Sequence, residues 1–376
     1  MMKYKLLKNI KNTFFDIANE EYLVLSEKVY DKSKKWIDTL IVINGNIFEE
    51  SVKTYMCNFN GGGILNKKLY YIESEGESFV IDLINNVQDK FLENEFIGFK
   101  GFFKDKILIK NHTIKTKSNW EITGQDFMAM IDGNSKDTIW TTKKLFSSPF
   151  LSDEKTLYVV DVNCYEIRCL DANTGINQWS FPVNELGKYK PNNNYEGIQQ
   201  GQVNRLITIH QGVLIAQITD YNILSIDINT GKKKWIINDF RKSLPKEIYK
   251  IVKPMTAGDT SVGDIANWHL IPETNKMYLT WFSFVFELDI ITKEIKVIFN
   301  AFAKSMTLGR SIRIENLIYI LGVNDIYLHI FDIEKRGIIW SFMHPEKTRI
   351  NDISIYKDKI YLKDWNDNLL ILEREE

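Results

Sequence analysis

Cysteine is scarce in this chain. Only Cys57, Cys164 and Cys169 occur in 376 residues, an odd number without metal-type spacing. That excludes a disulfide-built fold and a cysteine-held metal centre. Cys164 and Cys169 flank one hairpin turn and are expected to be half-buried thiols. Histidine is nearly as rare, and His112, His210, His269, His329 and His344 are scattered so that no two form a local pair. No charge dominates, with 48 Lys+Arg against 49 Asp+Glu. Surfaces that coat nucleic acid need a strong basic excess, so nucleic acid is not an expected partner. No segment approaches the roughly 20 apolar residues of a membrane span, and the lysine-bearing start has no apolar run of signal-peptide length. These absences predict a cytoplasmic, bacterial-type protein with no membrane contact.

Catalytic motifs are missing as well. There is no Gly-x-Ser-x-Gly elbow, His-Glu-x-x-His pair or Walker-type loop. Gly61-Gly62-Gly63 precedes the strand-like run Leu69-Tyr70-Tyr71-Ile72 instead of a helix, so it offers no helix N-terminus to a phosphate. It reads as a flexible connector between sheets.

What the chain does have is a repeat. An acidic residue closes a β-type apolar run and a tryptophan follows eight positions later: Asp132/Trp140, Asp171/Trp179, Asp227/Trp235 and Asp332/Trp340. The fullest copy runs Leu157-Tyr158-Val159-Val160-Asp161, then Ile167-Arg168-Cys169-Leu170-Asp171-Ala172-Asn173-Thr174-Gly175, then Trp179-Ser180-Phe181. With 44% apolar and 13% aromatic residues, such units predict small antiparallel sheets that bury their faces only against one another. Strands of the fullest unit are expected near 148–150, Leu157, Glu166 and Asn177. In the turns, Asp and Asn accept local backbone N–H bonds and Gly takes a positive φ. The tryptophan supplies a plate between neighbouring sheets. Asp171, Asp227 and Asp332 are therefore turn-formers and not catalysts.

Further copies end at Asp82 and at Asp289, the latter with Val297 in the tryptophan place. A degenerate first copy uses Tyr22 to Leu25 and Leu40 to Asn46. The last, with Leu369-Leu370-Ile371-Leu372, stops before its outer strand. Residues 2–8 are expected to supply that strand. The expected architecture is an all-β, eight-bladed β-propeller of four-stranded antiparallel blades, seven-bladed if the first copy is not a blade. It spans 1–376 as a single domain closed by its N-terminal strand.

The stretch Leu-Tyr…Leu-Asp-Ala-Asn-Thr-Gly…Trp-Ser-Phe resembles the quinoprotein-type (PQQ-like) β-propeller repeat. The motif is specific in the units ending at Asp171 and Asp227, weaker at Asp332 and Asp132, and a trace elsewhere. The family includes quinone-dependent alcohol dehydrogenases, outer-membrane assembly lipoproteins and many non-catalytic interaction propellers. The dehydrogenases hold their quinone beside an adjacent Cys-Cys disulfide with calcium on Glu, Asn and Asp. This chain has no Cys-Cys pair, so the resemblance implies the non-catalytic branch, with no cofactor and no metal.

Four long insertions fall at 27–37, 110–125, 182–202 and 239–264. In a propeller, connections of their kinds (second to third strand, and blade to blade) emerge on one face. They carry Trp36, Trp120, Tyr189, Tyr195, Arg241 and Tyr249 with several lysines. Tyr, Trp and Arg dominate interface hot spots, and lysines favour an acidic partner. The expected function is non-enzymatic binding of a protein by a monomer, in one form as an inhibitor or immunity-type protein. The alternative is an enzyme or small-ligand binder at the channel mouth, where Asp259, Asp264, Trp268 and His269 converge. Asp259 and Asp264 flank a serine in a polar loop, and Trp268-His269 falls in an innermost strand.

Overall fold

The computed structural model describes residues 3–10, 13–18, 22–30, 36–43, 52–57, 59–73, 77–85, 87–92, 96–112, 126–153, 155–188, 197–253, 267–301, 308–322 and 326–375. Among them lie 32 strands in eight four-stranded antiparallel sheets. The fold is an all-β propeller built from four-stranded blades.

Strand β1 (Tyr4–Ile10) leads into a sheet of β2 (Thr13–Ala18), β3 (Leu23–Tyr30), β4 (Trp36–Ile43) and β5 (Val52–Cys57). Next come β6 (Phe59–Leu65), β7 (Lys68–Glu73), β8 (Ser78–Asp82) and β9 (Val87–Lys90), then β10 (Phe96–Phe103), β11 (Lys106–His112), β12 (Phe127–Asp132) and β13 (Thr138–Thr142). The fullest repeat gives β14 (Phe146–Ser152), β15 (Thr156–Asp161), β16 (Glu166–Asp171) and β17 (Asn177–Pro182). It is followed by β18 (Val203–His210), β19 (Val213–Ile218), β20 (Asn222–Asp227) and β21 (Lys233–Ile237). A helix, α1 (Lys246–Val252), precedes β22 (Asn267–Ile271), β23 (Lys276–Trp281), β24 (Phe284–Asp289) and β25 (Ile295–Asn300). The last sheets are β26 (Leu308–Ile314), β27 (Leu317–Gly322), β28 (Tyr327–Asp332) and β29 (Gly337–Met343), then β30 (Ile350–Tyr356), β31 (Lys359–Asp364) and β32 (Leu369–Arg374).

The chain forms two compact units, one of Phe59–Thr260 and one of Met1–Asn58 with Ser261–Glu376. In the first, β6 lies beside β10, β10 beside β14 and β14 beside β18. In the second, β22 lies beside β26, β26 beside β30 and β30 beside β2. Middle strands are sandwiched between sheets and buried on both faces, as Leu157, Tyr158, Val159 and Val160 of β15 show. Strand β1 pairs antiparallel with β32, from Tyr4 opposite Arg374 to Ile10 opposite Leu369, and supplies that sheet's fourth strand.

The acidic turn residues do the work their chemistry predicts. Asp171 Oδ1 accepts from the amides of Asn173 and Thr174, both at 2.9 Å. Asp82, Asp132, Asp227 and Asp289 each accept the equivalent pair, and Asp332 accepts from the Lys335 amide at 3.0 Å. These bonds stabilise the anionic form, and at Asp227 the Lys234 ammonium above all, with the Thr230 amide, holds the carboxyl at about 2. Trp140 and Trp179 do bridge sheets. Trp140 Nε1 donates to the Ala172 carbonyl at 3.1 Å and Trp179 Nε1 to the Ile228 carbonyl at 2.7 Å. Each indole lies on the glycine of the next turn: a Cβ on Gly175 would sit 2.7 Å from Trp140, and one on Gly231 2.7 Å from Trp179. Both glycines have left-handed φ, +69° and +67°.

Two expectations need correction. The glycine run is not a connector; it lies inside β6 at a bulge. A Cβ on Gly63 would meet the Phe102 ring at 2.1 Å, so the small residues admit the neighbouring sheet's aromatic cluster. Cys164 and Cys169 are free thiols as expected, but only Cys164 is half-buried; Cys169 is fully buried, and the two turn to different partners, the Ser147 hydroxyl and the Gln178 amide oxygen. Burial pushes the Cys169 thiol up to about 12.

Candidate functional site

In a four-stranded meander, connections leaving the second and fourth strands emerge at one end of the sheet. Three of the long insertions belong to the Phe59–Thr260 unit, and each leaves such a strand: β11, β17 and β21. Hydrogen bonds show this for the connection after β17. Val183 N donates to Tyr165 O and Val203 N to Cys164 O, tying the connection after β17 to the turn after β15. The fourth insertion, in the other unit, is mostly strand. Residues 27–30 pair with 36–39 out to Tyr30 opposite Trp36, because Val29, Tyr30, Trp36 and Ile37 suit a ladder.

Two insertions converge on the tight turn between β19 and β20. Asp220 and Tyr221 both have left-handed φ, +59° and +58°, as a two-residue hairpin requires. On one side Thr219 Oγ1 donates to Gly187 O at 2.8 Å and accepts from the Gln202 amide at 3.0 Å. On the other, Asn222 Oδ1 accepts from the Asp239 amide at 2.8 Å and Phe240 N donates to Tyr221 O. Thr219 and Asn222 are buried, and these bonds satisfy them.

Beside this turn, residues 239–253 form a short 3-10 turn and α1 around one buried ion pair. Arg241 is 3% exposed. Its Nε and Nη2 reach Asp239 Oδ1 and Oδ2 at 2.7 and 3.2 Å, its Nη1 donates to Val252 O at 3.1 Å, and it stacks 3.7 Å above the Tyr221 ring centroid. Tyr249 Oη donates to Asp239 Oδ2 at 3.0 Å. Burial and that bond push the Tyr249 phenol up, while burial and the Asp239 charge push the Asp220 carboxyl up. Arg241 is thus not the exposed contact expected from a loop cation. Bidentate pairing with Asp239 and stacking on Tyr221 turn it inward, where it ties α1 down. Tyr249 is half-buried on the same network. What faces outward is Lys250, one of the loop lysines expected there, together with residues that sequence reasoning missed: Lys242, Lys246 and Lys253, with Ile251 54% exposed. An i, i+3, i+4 reading of 246–253 is the signal that finds them.

Trp120, Tyr189 and Tyr195 lie outside the described residues, as does the side chain of Trp36. Of the channel-mouth set, Asp259 and Asp264 also lie outside them. Trp268 and His269 sit in β22, half-buried. His269 Nε2 lies 2.8 Å from Ser311 Oγ, which is 2.9 Å from Thr280 Oγ1. On the next strand pair, Arg310 meets Asp352 at 2.6 Å. Burial raises the Asp352 carboxyl against the pull of Arg310. A serine in a strand has no local signature, so Ser311 was invisible to sequence reasoning. Among the described residues no three acidic, histidine or cysteine side chains gather as a metal site, and no helix is long and apolar enough to cross a membrane.

No family model matches the chain, and no curated protein does. Solved structures do. BamB from Moraxella catarrhalis aligns with a TM-score of 0.57 at 13% identity, over 99% of this chain and 100% of that one. Sqt1 from Saccharomyces cerevisiae aligns with a TM-score of 0.61 at 11% identity, over 99% and 98%. The computationally designed Ika8 protein gives a TM-score of 0.59 at 8% identity, over 98% of each chain. At such identities the likeness is one of fold.

Proposed function

We propose that this chain is a non-enzymatic β-propeller that binds an acidic protein surface through the loop-bearing ends of its sheets. In this reading the PQQ-like repeat serves only as scaffold. The observation that carries it is α1. The chain spends a buried Arg241–Asp239 pair on holding a lysine-rich helix with an exposed isoleucine beside the β19–β20 turn. Basic residues around an apolar centre suit a protein partner and speed encounter with an acidic one. Trp120, Tyr189 and Tyr195, on the other two insertions of the same unit, are proposed as further contacts. The working setting is a cytoplasmic monomer without cofactor, and occlusion of a toxin or enzyme is the specific form.

The test is affinity capture from the native host with the wild-type chain and with Lys246→Glu/Lys250→Glu/Lys253→Glu. An acidic protein captured by the first and lost by the second, with unchanged melting, is the expected result. Equal recovery by both removes the assignment.

A second reading, a small-ligand site or enzyme on the inner strands, is favoured by the His269–Ser311–Thr280 chain. A polar metabolite that raises the melting temperature of the wild type, but not of Ser311→Ala, would support it over the first.

A further inference from the structure

The second unit holds an exposed aromatic that none of the preceding uses. Trp365 lies in the turn between β31 and β32 and is 64% exposed. A tryptophan is seldom left in water, because its large apolar face gains by burial. This one is not on a loose loop. Asp364 Oδ1 accepts from the Asn366 and Asn368 amides at 2.8 Å, and Asp364 Oδ2 accepts from Asn368 Nδ2 at 2.9 Å. His344, at the end of β29, is fully buried, as is Asp364. His344 Nδ1 accepts from the Glu346 and Thr348 amides at 3.2 and 3.3 Å, so its ring proton sits on Nε2. Nε2 lies 3.3 Å from Asp364 Oδ2, an electrostatic contact rather than a well-aligned hydrogen bond. Trp365 N donates to Arg349 O at 2.9 Å. Two turns, 344–349 and 364–368, are thereby fused through a buried polar pair.

The product of this bracing is a stacked pair on the outside. The Arg349 guanidinium carbon lies 5.3 Å from the centroid of the Trp365 ring. Arg349 and Lys347 are exposed and join no ion pair among the described residues. Met343 and Pro345, also exposed, precede them on the same connection. Rigid tryptophan beside arginine is the composition of an interface hot spot, and fixing it beforehand lowers the ordering cost of binding.

We propose that Trp365 and Arg349 anchor a second protein-binding surface, which takes an extended segment bearing a carboxylate next to an apolar side chain. The apolar group covers the indole, and the carboxylate pairs with Arg349 and Lys347. An anionic bilayer fits less well, because Glu346 and Asp367 stand on the same two turns. The inference shares with the proposed function only the premise that the chain binds protein.

A displayed library of random dodecapeptides, panned on the full chain and counter-selected on Trp365→Ala, tests it. Expected are enriched sequences with Asp or Glu beside Leu, Phe or Trp. The synthetic peptide should bind Trp365→Ala and Arg349→Glu about tenfold or more weakly than wild type. No enrichment, enrichment of basic sequences, or equal binding by both variants overturns the assignment. So does sedimentation with phosphatidylglycerol vesicles, or concentration-dependent dimerisation, that Trp365→Ala abolishes. Peptides lost only by Lys246→Glu/Lys250→Glu would remove this surface and leave the proposed function standing.

Discussion

Glycine and tryptophan at the repeat turns are one unit, since each indole occupies the space a Cβ would need. Gly175→Ala combines a left-handed φ with a 2.7 Å collision and should cost about 1–3 kcal/mol in chemical denaturation. Trp140→Ala, which opens the same contact, should cost about 3–5 kcal/mol. Stability within error of wild type in both would remove the docking argument. The acidic partner in these turns has a pH signature. The Asp227 carboxyl is held at about 2 in the fold, against roughly 3.9 when unfolded. Its stabilisation is therefore complete above the unfolded value and is lost as pH falls through the folded one. The melting-temperature gap between wild type and Asp227→Asn should be largest above about pH 4 and close toward pH 2; a pH-independent gap counts against it. These residues were legible in the sequence because their partners lie within the same turn or one repeat away. Arg241 was not, because a loop cation carries no local sign of whether it faces solvent or a buried carboxylate. Trp365 left a faint trace: an indole in the polar turn Asp364-Trp365-Asn366-Asp367 breaks the alternation on both sides.

Among elements, α1 is the only α-helix in the described residues, and its seven residues are too short to persist alone. The Arg241–Asp239 pair substitutes for the packing a longer helix would have. Replacing Arg241 by Met leaves the Asp239 carboxylate buried without its cation, an imbalance of about 3–5 kcal/mol. The segment should detach locally before the sheets open. Hydrogen exchange should then accelerate over 240–253 while the β19 and β20 amides stay protected; uniform acceleration would contradict this. The strands themselves were readable from β-branched and aromatic runs, down to the fullest sheet's four starts. The glycine run in β6 misled because a connector and a strand that admits Phe102 have the same local composition. Only the neighbouring sheet tells them apart.

Across the whole molecule, each sheet depends on its neighbours, and the last depends on the first strand. Tyr4 reaches from β1 to the Tyr319 hydroxyl at 3.1 Å and to the Trp340 ring at 5.4 Å. Removing residues 1–10 should lower the melting temperature and leave β32 with a bare edge, measured as aggregation by light scattering. An unchanged, monodisperse truncation would show that β1 is dispensable. The same pairing has a consequence during biosynthesis. A ribosome releases Tyr4 some 370 residues before Arg374, so at roughly 5–20 residues per second β1 waits about 20–70 seconds for its only ladder partner. Over that interval the nascent protein carries an unsatisfied adhesive segment, so its vulnerability to misassembly is set by translation speed and chaperone supply as much as by the finished fold.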